Sequence, residues 1–181
     1  MNDLSKVSVV LPSLDPDEKL VAVIDGLLEY GFTDIILVND GSKKENLHYF
    51  EDAAAQHPEI HLLHHEVNKG KGAALKNAFR WFLENRPEGF GVVTVDGDNQ
   101  HHPEDTKACA LHMLANNKLV LGVRDFIPED DRAAFTQLGI GAGPGGHGAY
   151  AVEALDGAFL KVKHSHFLFD FGIVGGLAFI L

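Results

Sequence analysis

Two carboxylates separated by one residue form the first candidate site. Asp96 and Asp98 follow the apolar run at residues 91–95, and in an extended chain the side chains at i and i+2 point the same way. Mg2+ and Mn2+ prefer carboxylate oxygens and commonly share one or two of them with substrate phosphates. Gly97 leaves room for a ligand to approach. This loop predicts a clamp for a metal ion and a diphosphate, although Asp, Gly and Asn also form ordinary polar turns.

Two further polar loops follow apolar runs. Asp40 begins an Asp-Gly-Ser turn after residues 34–38, and its carboxylate could accept hydrogen bonds from a base or a ribose. The same letters also serve as ordinary turn and helix-capping residues. Lys69 and Lys71 precede a helical pattern, and phosphate is favoured at a helix N-terminus. The loop lacks the Walker and dinucleotide glycine patterns, so a plain helix start is the alternative.

These loops require a framework that brings them to one place. Segments of helical periodicity separate apolar, β-branched runs at spacings of about thirty residues, which implies βαβ units and parallel strands with helices on both faces. Ligands bind outside the carboxyl ends of the strands in such sheets. We therefore predict an α/β fold, an open and mostly parallel sheet up to about residue 124. Its strands are predicted at residues 7–11, 34–38, 60–64, 91–95 and 118–123.

Composition limits the class of protein. The 181 residues suffice for one domain with its own core, and 45% hydrophobic residues exclude a disordered chain. A formal net charge of −11, spread along the chain, argues against a nucleic-acid partner. Cys109 is the only cysteine, so there is no internal disulfide. The first apolar run is too brief for a signal peptide, and we expect a cytoplasmic protein.

Taken in chain order, the loops resemble those of the family 2 glycosyltransferases. The closest likeness is to the polyprenyl-phosphate group, typified by dolichol-phosphate mannose synthase, whose acidic loop reads Asp-x-Asp-x-Gln-His with Pro-Glu following. Residues 96–104 fit that pattern, and the resemblance covers about residues 5–126. It implies the GT-A fold, an inverting mechanism and a nucleotide-diphosphate sugar donor. The motifs that carry it are Leu11-Pro12-Ser13, Val38-Asn39-Asp40-Gly41-Ser42, Asn68-Lys69-Gly70-Lys71-Gly72, Asp96-Gly97-Asp98-Asn99-Gln100-His101 and Gly122-Val123-Arg124.

The resemblance also assigns roles to individual residues. With Lys71, which is expected from its place at a helix start, those expected to bind the nucleotide sugar are Pro12, Leu14, Asp15, Asp40 and Asp96. Those expected to hold Mg2+ or Mn2+ are Asp96, Asp98 and Gln100. Asp98 and Arg124 are the expected catalytic residues, and the Arg124 guanidinium could offset charge on the diphosphate or on an acceptor phosphate. The first loop departs from the family because Leu14, Asp15 and Pro16 replace an aromatic residue, Asn and Glu.

The last third of the chain departs further. The family's acceptor motif, which resembles Asp-Thr-Gln-x-Gly-Leu-Arg, is absent after Phe126, and residues 139–148 form a glycine-rich loop. The apolar residues 167–181 fall short of the roughly 20 that span a bilayer. They are either a buried core element or the start of a membrane segment. We predict a glycosyltransferase domain at residues 1–126 and a divergent or truncated segment at residues 127–181.

These observations predict a metal-dependent, inverting glycosyltransferase. It would move a sugar from a UDP- or GDP-linked donor to a lipid acceptor, a polyprenyl phosphate, at the cytoplasmic face of the membrane. The first alternative is a non-catalytic or truncated nucleotide-sugar-binding domain, because the acceptor half is missing. The second is a nucleotidyltransferase, whose glycine-rich phosphate loop should follow the first strand, but residues 12–16 contain no glycine.

Overall fold

The computed structural model describes residues 3–117, 120–123, 158–161 and 177–180. Its helices are α1 (Glu18–Glu29), α2 (Leu47–Gln56), α3 (Lys71–Asn85) and α4 (Pro103–Asn116), with short 3-10 turns at Leu4–Lys6 and Lys44–Asn46. Its strands are β1 (Val7–Ser13), β2 (Ile35–Asp40), β3 (Ile60–His65), β4 (Gly91–Thr94), β5 (Val120–Val123), β6 (Ala158–Lys161) and β7 (Leu177–Ile180).

The strands form one sheet in the order β3-β2-β1-β4-β7-β5-β6. Neighbours among β1 to β4 are parallel, as are β5 and β6, whereas β7 is antiparallel to both β4 and β5. The predicted open and mostly parallel sheet is confirmed. Each of the five predicted runs contains a strand, although residues 118 and 119 lie outside the described part of the chain.

Helices cover both faces of the sheet, as predicted. β1 and β2 are buried along almost their whole length, which is typical of parallel strands covered on both sides. Their side chains alternate between two cores. Val9 and Leu11 pack into the core that holds the buried faces of α1, α2 and α4. Val10 and Val38 pack into a second core, against Ala74, Ala78 and Phe82 of α3.

A charged cluster, the Asp34 network, lies at the amino ends of the strands. Asp34 precedes β2 and is almost buried. Arg86, at the C-terminus of α3, donates to both of its oxygens, at 3.1 and 2.9 Å. Ser8 donates to the same carboxylate, and His61 Nε2 lies 3.2 Å from it. Trp81 stacks on His61 and lies under the Arg86 guanidinium. The network joins the end of α3 to three strands.

The predicted apolar segment 167–181 contributes strand β7 at Leu177–Ile180. This strand lies between β4 and β5 in the sheet. Residues 167–176 and 181, and the predicted glycine-rich loop at 139–148, lie outside the described residues. Within the described ranges, no helix combines the length and the apolar character needed to cross a bilayer.

Candidate functional site

The strand order reverses between β1 and β4. From β1 the chain adds β2 and β3 on one side, and then β4 pairs with the opposite side of β1. Ligands bind at such a reversal, outside the carboxyl ends of the strands. Gly97, in the loop after β4, packs closely against the end of β1 and against α1, since a Cβ on Gly97 would lie 3.2 Å from both Ser13 Oγ and Leu20 Cδ1. The acidic loop therefore lies at the expected position.

Lys71 and Asp96 meet at this edge of the sheet. Lys71 is the first residue of α3 and follows Gly70, whose φ of 87° suits a residue without a side chain. Its Nζ lies 2.6 Å from Asp96 Oδ1, with 44% of the Lys71 side chain and 28% of the Asp96 side chain exposed. Two predicted ligand-binding residues are thus paired with each other. Since both keep access to solvent, a ligand can separate them.

The acidic loop is shaped by its own hydrogen bonds. Asp98 Oδ1 accepts from the backbone N–H of Gln100 at 3.0 Å. The backbone N–H of Asp96 donates to Nδ1 of the buried His101, also at 3.0 Å. Asn99 takes a positive φ of 64°, a conformation that Asn tolerates better than most residues. Asp98 is left exposed at this edge of the sheet.

The oxygen donors of this loop fit a hard cation. Carboxylate and amide oxygens from Asp96, Asp98 and Gln100 are the ligand types that Mg2+ and Mn2+ prefer. No three His, Cys, Asp or Glu side chains of the described ranges converge as a metal site. A cation here would therefore depend on these residues together with phosphate and water. That is the usual arrangement for a cation shared with a substrate phosphate.

Asp40 lies at the end of β2 and is almost buried. Its Oδ1 accepts from His65 Nδ1 at 2.6 Å and from the backbone N–H of Lys69 at 3.0 Å. His65 is the last residue of β3 and lies opposite Asp40 in the parallel register. The predicted Asp40 site thus includes His65, which sequence reasoning missed. Strand pairing is the signal that would have revealed it.

The turn after β2 packs against the loop after β3. Gly41 has a φ of 79°, and a Cβ at this position would lie 2.2 Å from the backbone nitrogen of Asn68. Asn68 Oδ1 in turn accepts from the backbone N–H of Gly70 at 2.8 Å. Only glycine combines this conformation with such a close approach. The contact brings the Asp40 turn beside the loop that leads to Lys71.

Asp15 connects the loop after β1 to the turn after β2. Its Oδ1 accepts from the backbone N–H of Lys43 at 2.8 Å and from Asn46 Nδ2 at 3.1 Å. Its own N–H donates to Ser42 Oγ at 2.8 Å. The hydrogen bond from Lys43 lowers the pKa of Asp15 below its usual value. In the structure Asp15 therefore joins two loops of the candidate site.

Two more of the predicted residues, Pro12 and Leu14, lie at the same edge. Pro12 is buried within β1, whereas Leu14 is 46% exposed in the loop that follows. Arg124 lies outside the described residues. The structure thus brings the loops of the predicted nucleotide and metal residues to one side of the sheet. Among them, Lys71 and Asp96 are in direct side-chain contact.

Residues 8–168 match the protein family described as glycosyl transferase family 2. An undecaprenyl-phosphate mannosyltransferase of Micrococcus luteus is 30% identical over 121 residues, which are 66% of this chain and 48% of the relative. The chain spans about half the length of the curated relatives that it matches.

Solved structures agree with the expected GT-A fold. A mannosyltransferase from Pyrobaculum calidifontis, in complex with GDP-Man and Mn2+, matches with a TM-score of 0.56 at 18% identity. The match covers 74% of this chain and 38% of the mannosyltransferase chain. A 4-diphosphocytidyl-2C-methyl-D-erythritol synthase from Anaerococcus prevotii has a TM-score of 0.54 at 15% identity and covers 91% of both chains. These likenesses show the fold and do not by themselves select the reaction. The family match over most of the sequence does make the assignment: the chain belongs to glycosyltransferase family 2.

Proposed function

We propose that this chain is the donor-binding part of a metal-dependent, inverting glycosyltransferase. The donor is a UDP- or GDP-linked sugar, and the acceptor is a polyprenyl phosphate. One observation carries the proposal: the Lys71 ammonium and the Asp96 carboxylate lie 2.6 Å apart at the carboxyl edge of the sheet. A predicted ligand of the cation is therefore adjacent to a predicted partner of the phosphate, and this supports a site for a metal-bound diphosphate.

The charges of the site suit a diphosphate leaving group. The first turn of a helix leaves backbone N–H groups without intrahelical partners, so the start of α3 adds donors to the Lys71 charge. Asp96, Asp98 and Gln100 would hold Mg2+ or Mn2+, which would share the charge of the diphosphate with Lys71. When bound, the cation supplies charge neutralisation for the departing nucleoside diphosphate. The Mn2+ in the complex of the Pyrobaculum mannosyltransferase supports a divalent cation in this role.

A polyprenyl phosphate needs little help as a nucleophile. Its phosphate oxygen is already ionised near neutral pH, so no strong general base is required. Attack on the anomeric carbon from the face opposite the diphosphate inverts its configuration. Arg124 is the predicted counter-ion for the diphosphate or the acceptor phosphate. The name of the Micrococcus relative supports this acceptor class, and a lipid acceptor would place the reaction at the cytoplasmic face of a membrane.

Calorimetric titration with UDP and with GDP, each with and without Mn2+, tests the donor site. We expect one nucleotide to bind only when Mn2+ is present, and Asp98→Ala to abolish this binding. Asp52→Ala is the matched control, because Asp52 is an exposed carboxylate on α2, away from the sheet edge. Failure of the folded wild-type protein to bind either nucleotide would refute the donor site.

Turnover separates the enzyme from its alternatives. Transfer of sugar from the bound nucleotide to a polyprenyl phosphate, lost in Asp98→Ala, would exclude a non-catalytic domain. Release of pyrophosphate from a nucleoside triphosphate and a sugar 1-phosphate would instead identify a nucleotidyltransferase. Nucleotide binding without either reaction would leave a binding domain as the function.

A further inference from the structure

The pair formed by Asp40 and His65 is unusual for its burial. The two residues end neighbouring strands and face each other in the register, and their side chains are only 6% and 7% exposed. A carboxylate removed from water in this way is costly unless it is hydrogen-bonded. The bond of 2.6 Å from His65 Nδ1 is in the range of charge-assisted hydrogen bonds. His65 therefore compensates for the burial of Asp40.

The hydrogen bonds also indicate which tautomer His65 adopts. An ionised carboxylate only accepts hydrogen bonds, so the proton lies on Nδ1. In the neutral ring Nε2 is then an acceptor, and Asn77 Nδ2 lies 3.4 Å from it. Asn77 belongs to α3, the helix that begins with Lys71. The chain of contacts from Asp40 through His65 to Asn77 thus joins β2, β3 and α3.

Both donors to Asp40 approach the same oxygen. His65 Nδ1 and the backbone N–H of Lys69 bind Oδ1, and no described residue donates to Oδ2. The carboxylate is consequently fixed in rotation through one oxygen, and the other remains available as an acceptor. Without His65, the Lys69 amide alone would hold the group.

We propose that His65 is a positioning residue, which holds Asp40 so that Oδ2 accepts a hydrogen bond from the base or the ribose of the donor nucleotide. This inference rests on the proposed function. The positioning role means that His65 should affect the binding of the nucleoside half of the ligand. It should not affect the binding of the diphosphate half, which is proposed to lie with Lys71 and the acidic loop. A residue with a purely structural role would affect both halves alike.

Two variants of nearly equal shape separate the hydrogen bond from the packing. Asn at position 65 can keep an N–H donor close to the place of Nδ1, whereas Leu cannot. The full chain is titrated in the presence of Mn2+ with the nucleotide that the wild type binds, and separately with inorganic pyrophosphate, which has no nucleoside. We expect His65→Leu to weaken nucleotide binding about tenfold, the size of a charge-assisted hydrogen bond. His65→Asn should stay within about threefold of wild type, and pyrophosphate binding should not change in either variant.

Several results would overturn the proposal. Nucleotide binding by His65→Leu at the wild-type level would exclude a positioning role, while the donor site itself would stand. Equal weakening of nucleotide and pyrophosphate would show a general structural role instead. If His65→Leu does not fold, His65→Phe decides, because phenylalanine fills the space of the ring and has no donor for Asp40. A wild-type ratio of nucleotide to pyrophosphate affinity in that variant would overturn the inference. A wild-type protein that binds no nucleotide would refute the proposed function first.

Discussion

Replacing Lys71 with methionine is expected to change cation binding and diphosphate binding in opposite directions. In the structure the Lys71 ammonium pairs with Asp96 Oδ1, a predicted metal ligand. Without a ligand the lysine therefore competes with a divalent cation for that carboxylate. With a diphosphate present, the same ammonium becomes a partner of the phosphate. Methionine keeps much of the length of the side chain and removes the charge.

The exposure of the two side chains determines the magnitude. At 44% and 28% exposure the ion pair is largely in contact with solvent, where such pairs contribute about 0.2–1 kcal/mol. Releasing Asp96 should therefore tighten the binding of Mn2+ alone by up to about fivefold. Loss of a charge-assisted bond to phosphate costs about 1.5–3 kcal/mol. Because this site is open to water, we expect the lower end, about tenfold weaker binding of the nucleotide with Mn2+.

Titration of Mn2+ into the protein without nucleotide, followed by paramagnetic resonance of the free ion, measures the first effect. Calorimetry with UDP or GDP at saturating Mn2+ measures the second. Lys76→Met is the matched control, since Lys76 is an exposed lysine on the same helix, and both affinities should remain unchanged in it. A Lys71→Met protein that binds Mn2+ more weakly than wild type, or that binds nucleotide equally well, would refute the reasoning.

Three further predictions concern stability and reactivity. Gly41→Ala should lower the free energy of unfolding by about 2 kcal/mol or more, because the added Cβ strains the left-handed backbone and clashes with the backbone at Asn68. Urea denaturation measures this loss. Gly72→Ala is the control and should show no such loss, because a Cβ at this position meets nothing within 4 Å. Burial raises the pKa of Cys109 to about 12, with a smaller contribution from Asp105. Native Cys109 should therefore resist alkylation at pH 8 and react in urea. The raised pKa also predicts that the free energy of unfolding falls between about pH 9 and 12, where only the thiol of the unfolded chain ionises. Rapid alkylation of the native protein would contradict both the protection of Cys109 and this pH dependence.

Periodicity and apolar runs predicted the strands well because burial dictates those residues. Their ends were less predictable. β1 extends to Ser13 and β2 to Asp40, beyond the apolar runs, because each polar residue still pairs with the neighbouring strand. Hydrogen bonding between backbones does not depend on side-chain polarity, so a hydropathy pattern cannot show where pairing stops.

Contacts between loops were not predictable from one sequence. The loops of Asp40, Lys71 and Asp96 were expected at one edge, and the fold confirms that edge. The contacts of Lys71 with Asp96 and of Asp40 with His65 depend on strand order and register, which spacing along the chain does not encode. Asp15 illustrates the same limit, because its partners lie 27 to 31 residues away in the turn after β2. The predicted roles of these residues remain predictions.

The ion pairs at the two ends of the sheet differ in how readily they can exchange partners, and the Asp34 network is the less exchangeable of the two. At the amino ends, Arg86 donates two hydrogen bonds to Asp34, whose side chain is only 11% exposed. Separating them would take the guanidinium away from a largely buried carboxylate, so their pairing cannot be exchanged at low cost. At the carboxyl ends, Lys71 and Asp96 are solvated and can take other partners. Substitutions at the amino ends of the strands should therefore change the stability of the domain, while those at the carboxyl ends should change its ligand binding.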